Sequence, residues 1–246
     1  MLGSLVGVLF DGIAYGALLF IIAIGLAVTL GLMNFVNLAH GAFAMLGGYV
    51  SVVAMNRAGV PFLLALPLAF VAAALVGVVL ERTLYQRLYR ASHLDQVLFS
   101  IGLVYVAIAV ATYFFGPSQQ PVRLPEFLRG QVEVFGRGFG AYRLFLIVTV
   151  AMVTVVLHLL LERTRFGAAV RASVDNATAA AGLGINVNRV FALTFALGSG
   201  LAGLGGRWGS TCWGSIRSFR SSSWCISCWW WRWAGRPRSR VRCTRR

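Results

Sequence analysis

The chain has no lysine; all 22 of its basic residues are arginine. Residues 1–206 contain neither tryptophan nor cysteine. Charged residues make up only 12% of the chain, against about 25% in a soluble domain. That scarcity excludes a water-soluble enzyme as the default reading. The 59% hydrophobic content excludes a disordered chain, which would be poor in apolar residues. Catalytic signatures are missing too: there is no P-loop, no G-x-S-x-G and no H-E-x-x-H. Cys225 and Cys228 form a C-x-x-C, but no second pair stands at zinc-site spacing. No metal site and no cofactor are expected.

Long apolar runs fill the rest. They cover roughly residues 5–33, 38–55, 60–80, 97–116, 142–161 and 190–206, with a mean hydropathy of +0.78 over the whole chain. A helix rises about 1.5 Å per residue, so about 20 residues cross a hydrocarbon core. The runs are continuously apolar and rich in Leu, Ala and Gly, not alternating, which argues against strands. The expected fold is an all-α, polytopic transmembrane helix bundle of about six spans. No basic segment precedes the first run and no small-residue cleavage site follows it, so it reads as a retained span. Gly12 with Gly16, Gly198 with Ala202, and Ala202 with Gly206 stand at small-xxx-small spacing, which permits close helix approach in lipid.

The polar loops at 81–95 and 162–189 are two spans apart and so face the same side. They carry Arg82, Arg87, Arg90, Arg163, Arg165, Arg171 and Arg189, against Arg57, Arg123, Arg129, Arg137 and Arg143 on the other side. The excess places the two loops in the cytoplasm. It puts the N-terminus outside if all the runs cross, and reverses it if the second only half-crosses.

Polar groups inside apolar runs are costly and mark functional candidates. Asp11 lies near a span end, and His158 lies close to Arg-bearing sequence; both suit the membrane interface. The stretch Asn34-Phe35-Val36-Asn37-Leu38-Ala39-His40-Gly41 is different, because it gathers two Asn and a His between apolar runs. Two readings are open: an interrupted helix that lines a cavity at membrane depth, or a short interfacial turn.

That same stretch, followed by Met45-Leu46-Gly47-Gly48-Tyr49, resembles permease subunits of branched-chain amino acid ABC transporters. So does Glu81-Arg82 through Arg90, where Gln86 and Arg87 occupy the family's Arg-Pro positions. Phe166 to Ala172 and Leu183 to Phe195 are similar to the family's cytoplasmic loop and the span after it. These matches keep their order over about residues 5–206, and the first-half member of the permease pair fits best. The resemblance implies a subunit of an inner-membrane importer, not an enzyme. Its partners would be a second permease, two ATP-binding subunits that hydrolyse ATP, and a periplasmic substrate-binding protein. Asn34, Asn37, His40 and Gly41 would belong to the translocation pathway. Thr178-Ala179-Ala180 and Gly184 match the E-A-A-x-x-x-G docking pattern, with Thr in place of Glu. Arg171 and Asp175 would supply charge to the same ATPase-docking loop, 162–189. An amide- or urea-type ABC permease, or an ion-coupled carrier or channel using His40 and Asp11 directly, is the alternative.

The character of the chain changes after Gly206. Residues 1–206 hold 12 Arg and 7 acids; residues 207–246 hold 10 Arg, no acid, all seven Trp and all four Cys. A basic tail of this kind suits phosphate contact and base stacking. The genetic code supplies a different account. Tryptophan has the single codon TGG, so the run Trp229-Trp230-Trp231 read one base earlier becomes consecutive valines after a leucine. The same shift turns residues 224–234 into an apolar span, and lets Arg207 to Gly214 read as Ala-Leu-Gly-Val-Asp-Leu-Leu-Gly. The expectation is therefore a permease domain at 1–206 and a frameshifted, disordered tail at 207–246, with no nucleic-acid partner and accidental cysteines.

Overall fold

The computed structural model describes residues 2–33, 37–88, 91–116, 128, 130–134 and 137–215. Helices α1 (Leu2–Met33), α2 (His40–Arg57) and α3 (Phe62–Leu80) come first. α3 runs on through a π-turn at Glu81–Tyr85 and a last turn at Gln86–Leu88. α4 (His93–Phe115) and α5 (Ala141–Arg163) follow, then α6 (Arg165–Asp175), α7 (Ala177–Gly182) and α8 (Val187–Ser215). The fold is the expected all-α membrane bundle. Its one addition among the described residues is a short antiparallel hairpin between α4 and α5, with β1 (Gln131–Val134) paired to β2 (Arg137–Gly140).

Five helical segments are long and apolar enough to cross a membrane: Gly7–Gly31, Phe62–Leu88, His93–Phe115, Ala141–Arg163 and Val187–Trp208. The second expected run, α2, is not among them. It is 18 residues long and carries His40, Ser51 and Asn56. It packs instead against α3 and α8 inside the bundle. Ser51 is fully buried and satisfied locally, its hydroxyl donating to the carbonyls of Gly47 and Gly48 at 2.8 Å.

α8 is the hub, packed on α1, α2 and α3. Lipid is as apolar as leucine, so helices in a bilayer associate through close packing, and small residues allow it. Gly203 lies against the backbone of Gly47 and against Ala69 and Ala73, while Gly206 lies against the carbonyl of Ala44. Gly198 faces Gly25, so a β-carbon at Gly25 would stand 2.7 Å from the Gly198 carbonyl oxygen. Two of the three small-residue pairs are thus contacts. Gly12 and Gly16 are not, since nothing lies within 4 Å of a β-carbon added at either.

Helix boundaries follow local chemistry. Ser92 caps α4, accepting the Asp95 N–H at 3.3 Å and donating to the Asp95 carboxylate at 2.8 Å, which satisfies a donor left free at the helix start. Gly116 ends α4 at φ +74, a conformation open to glycine, with its N–H on the Thr112 carbonyl at 2.9 Å. The 81–95 stretch, read as a polar loop, is helical through Leu88, and Glu81 and Tyr85 are buried. The expected boundary at Gly206 is not where α8 stops: the helix runs to Ser215, with Arg207 and Trp208 fully buried. The Arg207 guanidinium sits 4.6 Å over the Phe62 ring and 3.0 Å from Met55 Sδ. Residues 216–246, most of the expected tail, lie outside the described residues.

Candidate functional site

Two places emerge. The first is the junction between α1 and α2. Asn37 and His40 are brought together there and are both buried, at 2% and 4% exposure. Asn37 Oδ1 accepts the Ala39 N–H at 3.0 Å and the Tyr85 hydroxyl at 3.1 Å. His40 Nε2–H donates to the Ile22 carbonyl at 3.0 Å. Ile22 lies well inside the Gly7–Gly31 span, so α2 begins at membrane depth. Asn37 Nδ2 and His40 Nδ1 find no partner among the described residues. Gly41 is exposed, and Asn34 lies outside the described residues.

Tyr85 is the member of this junction that sequence reasoning missed. A π-turn adds a residue per turn and re-aims the side chains after it. Here it accompanies a Tyr85 hydroxyl set on Asn37 and a ring packed 4.9 Å from Phe195 and 5.6 Å from Phe99. Only the match of Glu81 to Arg90 with a family motif could have drawn attention to it.

A groove of about 500 Å³ lies between α2 and α4, lined by Ala42, Met45, Tyr49 and Val53 on one side and Ala107 and Ala111 on the other. Tyr49 and Phe115 stack across it at 4.4 Å. Its lining on α2 begins at Ala42, about 200° around the helix from His40. The structure does not bring Asn37 or His40 to this groove. Nor does it join Asp11 to His40: Asp11 pairs with Arg143 at the start of α5, half a span along α1 from Ile22. His158 pairs with Glu162 at 3.3 Å on an exposed face, as an interfacial residue would.

The second place is the α6–α7 loop. Thr164 caps α6 by accepting the Gly167 N–H at 3.3 Å, and Asn176 caps α7 by accepting the Ala179 N–H at 2.9 Å. α6 buries Gly167, Val170 and Ser173, one stripe at helical spacing. Ala180 is buried, while Arg171, Asp175, Thr178, Ala179 and Gly184 are exposed. Gly184 has φ +83 and closes α7, with its N–H on the Ala181 carbonyl at 3.0 Å. A shallow groove of about 490 Å³ is lined by Ala177, Thr178, Ala181, Ile185, Asn186 and Val187. Leu183 is 80% exposed and Val174 41% exposed beside it. Both lie outside the five segments long and apolar enough to cross a membrane.

These features define a polytopic membrane protein: a close-packed helix bundle with a buried polar junction and a structured α6–α7 loop. The family described as "branched-chain amino acid transport system / permease component" matches residues 8–226, and the chain belongs to it. The probable branched-chain amino acid transport permease protein LivH of Methanocaldococcus jannaschii is 27% identical over 207 residues, 81% of this chain and 64% of that protein. The high-affinity branched-chain amino acid transport system permease protein BraD of Pseudomonas aeruginosa is 30% identical over 206 residues, 79% of this chain and 67% of that protein. The corresponding LivH of Escherichia coli K12 is 28% identical over 212 residues, 80% of this chain and 68% of that protein. The chain thus spans about two thirds of the length of these relatives. No solved structure matches it. It is a multi-pass protein of the inner membrane, and its family comprises permease components of transport systems rather than enzymes.

Proposed function

We propose that the chain is a membrane subunit of an ATP-driven importer of branched-chain amino acids or close analogues. A second permease would complete the membrane core, and two ATP-binding subunits would hydrolyse ATP beneath it. A periplasmic protein would deliver the solute. The observation that carries this reading is the α6–α7 loop: two capped helices that expose Asp175, Thr178, Ala179, Leu183 and Gly184, with Thr178 lining a shallow groove beside Ala177 and Ala181. Small residues let a partner seat closely, and Leu183 supplies apolar area to bury. The test is co-purification of an ATP-binding subunit. Gly184→Trp places a bulky side chain where φ is +83 and is expected to abolish capture. Normal capture by that variant would remove the docking assignment.

The Asn34–Gly41 segment would border the translocation route. Its support is two buried polar atoms, Asn37 Nδ2 and His40 Nδ1, without partners among the described residues, with the His40 ring hydrogen-bonded to the Ile22 carbonyl inside the first span. Cysteine placed at Asn37 or His40 is expected to react with small hydrophilic thiol reagents in at least one transport state. Inertness in every state would make the junction a packed structural turn.

The reading frame from about residue 207 onward is the last part of the proposal. A single-base deletion there accounts for the sudden excess of Arg and Trp and for the apolar span in the shifted frame. The 246-residue chain would then be impaired in transport. Sequencing the gene across codons 200–215 decides it.

A further inference from the structure

The last turn of a helix leaves carbonyls without intrahelical partners. At the end of α5 two of them are taken by the helix that follows. Thr164 Oγ1 donates to the Leu160 carbonyl, and the Arg171 guanidinium, through Nη1, donates to the Leu161 carbonyl. Cations at a helix C-terminus also meet the favourable end of its dipole. Between them, Gly167 lies so close to Leu161 that a β-carbon would overlap the Leu161 backbone. Thr164 itself is extended (φ −106, ψ 159), so α6 leaves α5 at a corner, not in line. Three residues on α6 and its cap thus hold that corner.

The far end of α5 is tied as well. Arg143 pairs with Asp11 on α1, and the Tyr142 hydroxyl donates to the Trp208 carbonyl on α8 at 3.2 Å. α5 is thus joined to α1 and α8 at the end away from α6.

We propose that Arg171 is a positioning residue that locks α6 onto the end of α5, so that the two helices move as one lever when a partner engages the α6–α7 face. The lever's use in transport rests on the docking reading above; the lock itself does not. Arg171 acts inward, on Leu161, while Asp175, Thr178 and Leu183 face the partner. The joint at Asn176 (φ −155, ψ 98) sets the loop's other bend.

Two measurements test this, and they fail separately. The first uses the 246-residue chain in lipid nanodiscs, with Cys212, Cys225, Cys228 and Cys243 changed to Ser. Spin labels are placed through Leu159→Cys on α5 and Leu183→Cys after α7, both exposed positions. A narrow distance distribution is expected for the parent. Arg171→Ala should widen it at least about two-fold, with Arg171→Lys, which retains a donor, falling between them. Gly167→Ala, with Arg171 intact, should shift the mean distance. It gives an independent reading if Arg171→Ala yields no folded protein. An unchanged distribution in Arg171→Ala, or an unshifted mean in Gly167→Ala where that variant alone folds, overturns the lock.

The second measurement uses the assembled transporter with the reading frame from about residue 207 restored. Arg171→Ala should keep capture of the ATP-binding subunits within about two-fold while solute imported per ATP hydrolysed falls about ten-fold, the signature of lost coupling. Loss of capture would make Arg171 a partner contact and overturn the positioning role; unchanged coupling would overturn the lever. A parent chain that captures no ATP-binding subunit would end the docking reading and the lever with it, while the label distances still judge the lock.

Discussion

The bundle divides into two kinds of helix. Of an 18-residue apolar window within Val187–Trp208 of α8, 61% is buried, whereas the corresponding windows reach 11% in His93–Phe115 of α4 and 17% in Ala141–Arg163 of α5. α8 is the least apolar of the three, with a mean hydropathy of 1.3 against 2.2 and 2.8, as suits a helix shielded from lipid. Glycine placement lets its neighbours close on it. α8 carries Gly198, Gly203 and Gly206 where each meets another helix's backbone, while Gly102 of α4 has nothing within 4 Å of an added β-carbon. Val106, Val110, Tyr113 and Phe114 on α4, and Val148, Met152 and Val155 on α5, stay exposed. Close packing thus defines a core of α1, α2, α3 and α8, and leaves α4 and α5 with broad apolar faces for lipid or a membrane partner.

The largest expected effect lies where the core meets the altered composition at Arg207. Restoring one base near codon 207 should bring ATP-dependent uptake from background to the level of an intact system, in a strain lacking its own. Robust uptake by the 246-residue form, its mass confirmed, would show the frame argument to be wrong.

The core–periphery contrast itself is tested by paired glycine substitutions. Gly203→Leu drives a side chain into Gly47, Ala69 and Ala73. Overpacking usually costs about 1–3 kcal/mol, and backbone has little room to yield, so loss of monodisperse protein in detergent is expected. Gly102→Leu should change thermal stability by no more than about 0.5 kcal/mol, as at an open surface. Equal damage at Gly102 would mean that a partner closes on α4.

A smaller effect belongs to the junction. Tyr85→Phe removes one hydrogen bond to Asn37 but leaves Asn37 Oδ1 bonded to the Ala39 N–H. A loss of about 1 kcal/mol in thermal unfolding is expected. No loss would show that the π-turn holds the junction without the hydroxyl.

The smallest effect is at the rim. Asp11→Asn breaks a pair whose side chains are 51% and 48% exposed for Asp11 and Arg143. Screening by solvent limits such pairs to about 0–1 kcal/mol, and high salt should erase the difference between variant and parent. A larger, salt-resistant loss would place Asp11 in the core rather than at its edge.

Much of this protein is decided locally, and so is legible in the chain. Apolar run length selects membrane helices, because a bilayer demands about 20 residues whatever their neighbours. Caps such as Ser92, Thr164 and Asn176 act on N–H groups three residues away, so they too can be read in order. The family resemblance rests on the same kind of linear pattern, and the family match confirms it. Gly12-x-x-x-Gly16 and Gly198-x-x-x-Ala202 look alike in sequence, yet only the second meets a partner helix. A contact needs register and rotation on two helices, and neither is written in one. Glu81 and Tyr85 leave the expected loop for the same reason: a π-turn, packed against α8 and hydrogen-bonded to Asn37, extends the span past the point where polarity suggests it should stop. Arg171 reads as a loop charge until the corner at Thr164 turns its guanidinium back onto Leu161, ten residues earlier. Membrane insertion and family follow from the linear chain, since hydrophobicity and capping are short-range, whereas the second expected span, α2, is packed inside the bundle instead. Which glycines are interfaces, which polar groups are buried together and which arginine holds a corner were decided by the tertiary structure alone, because each depends on two segments meeting at a particular angle.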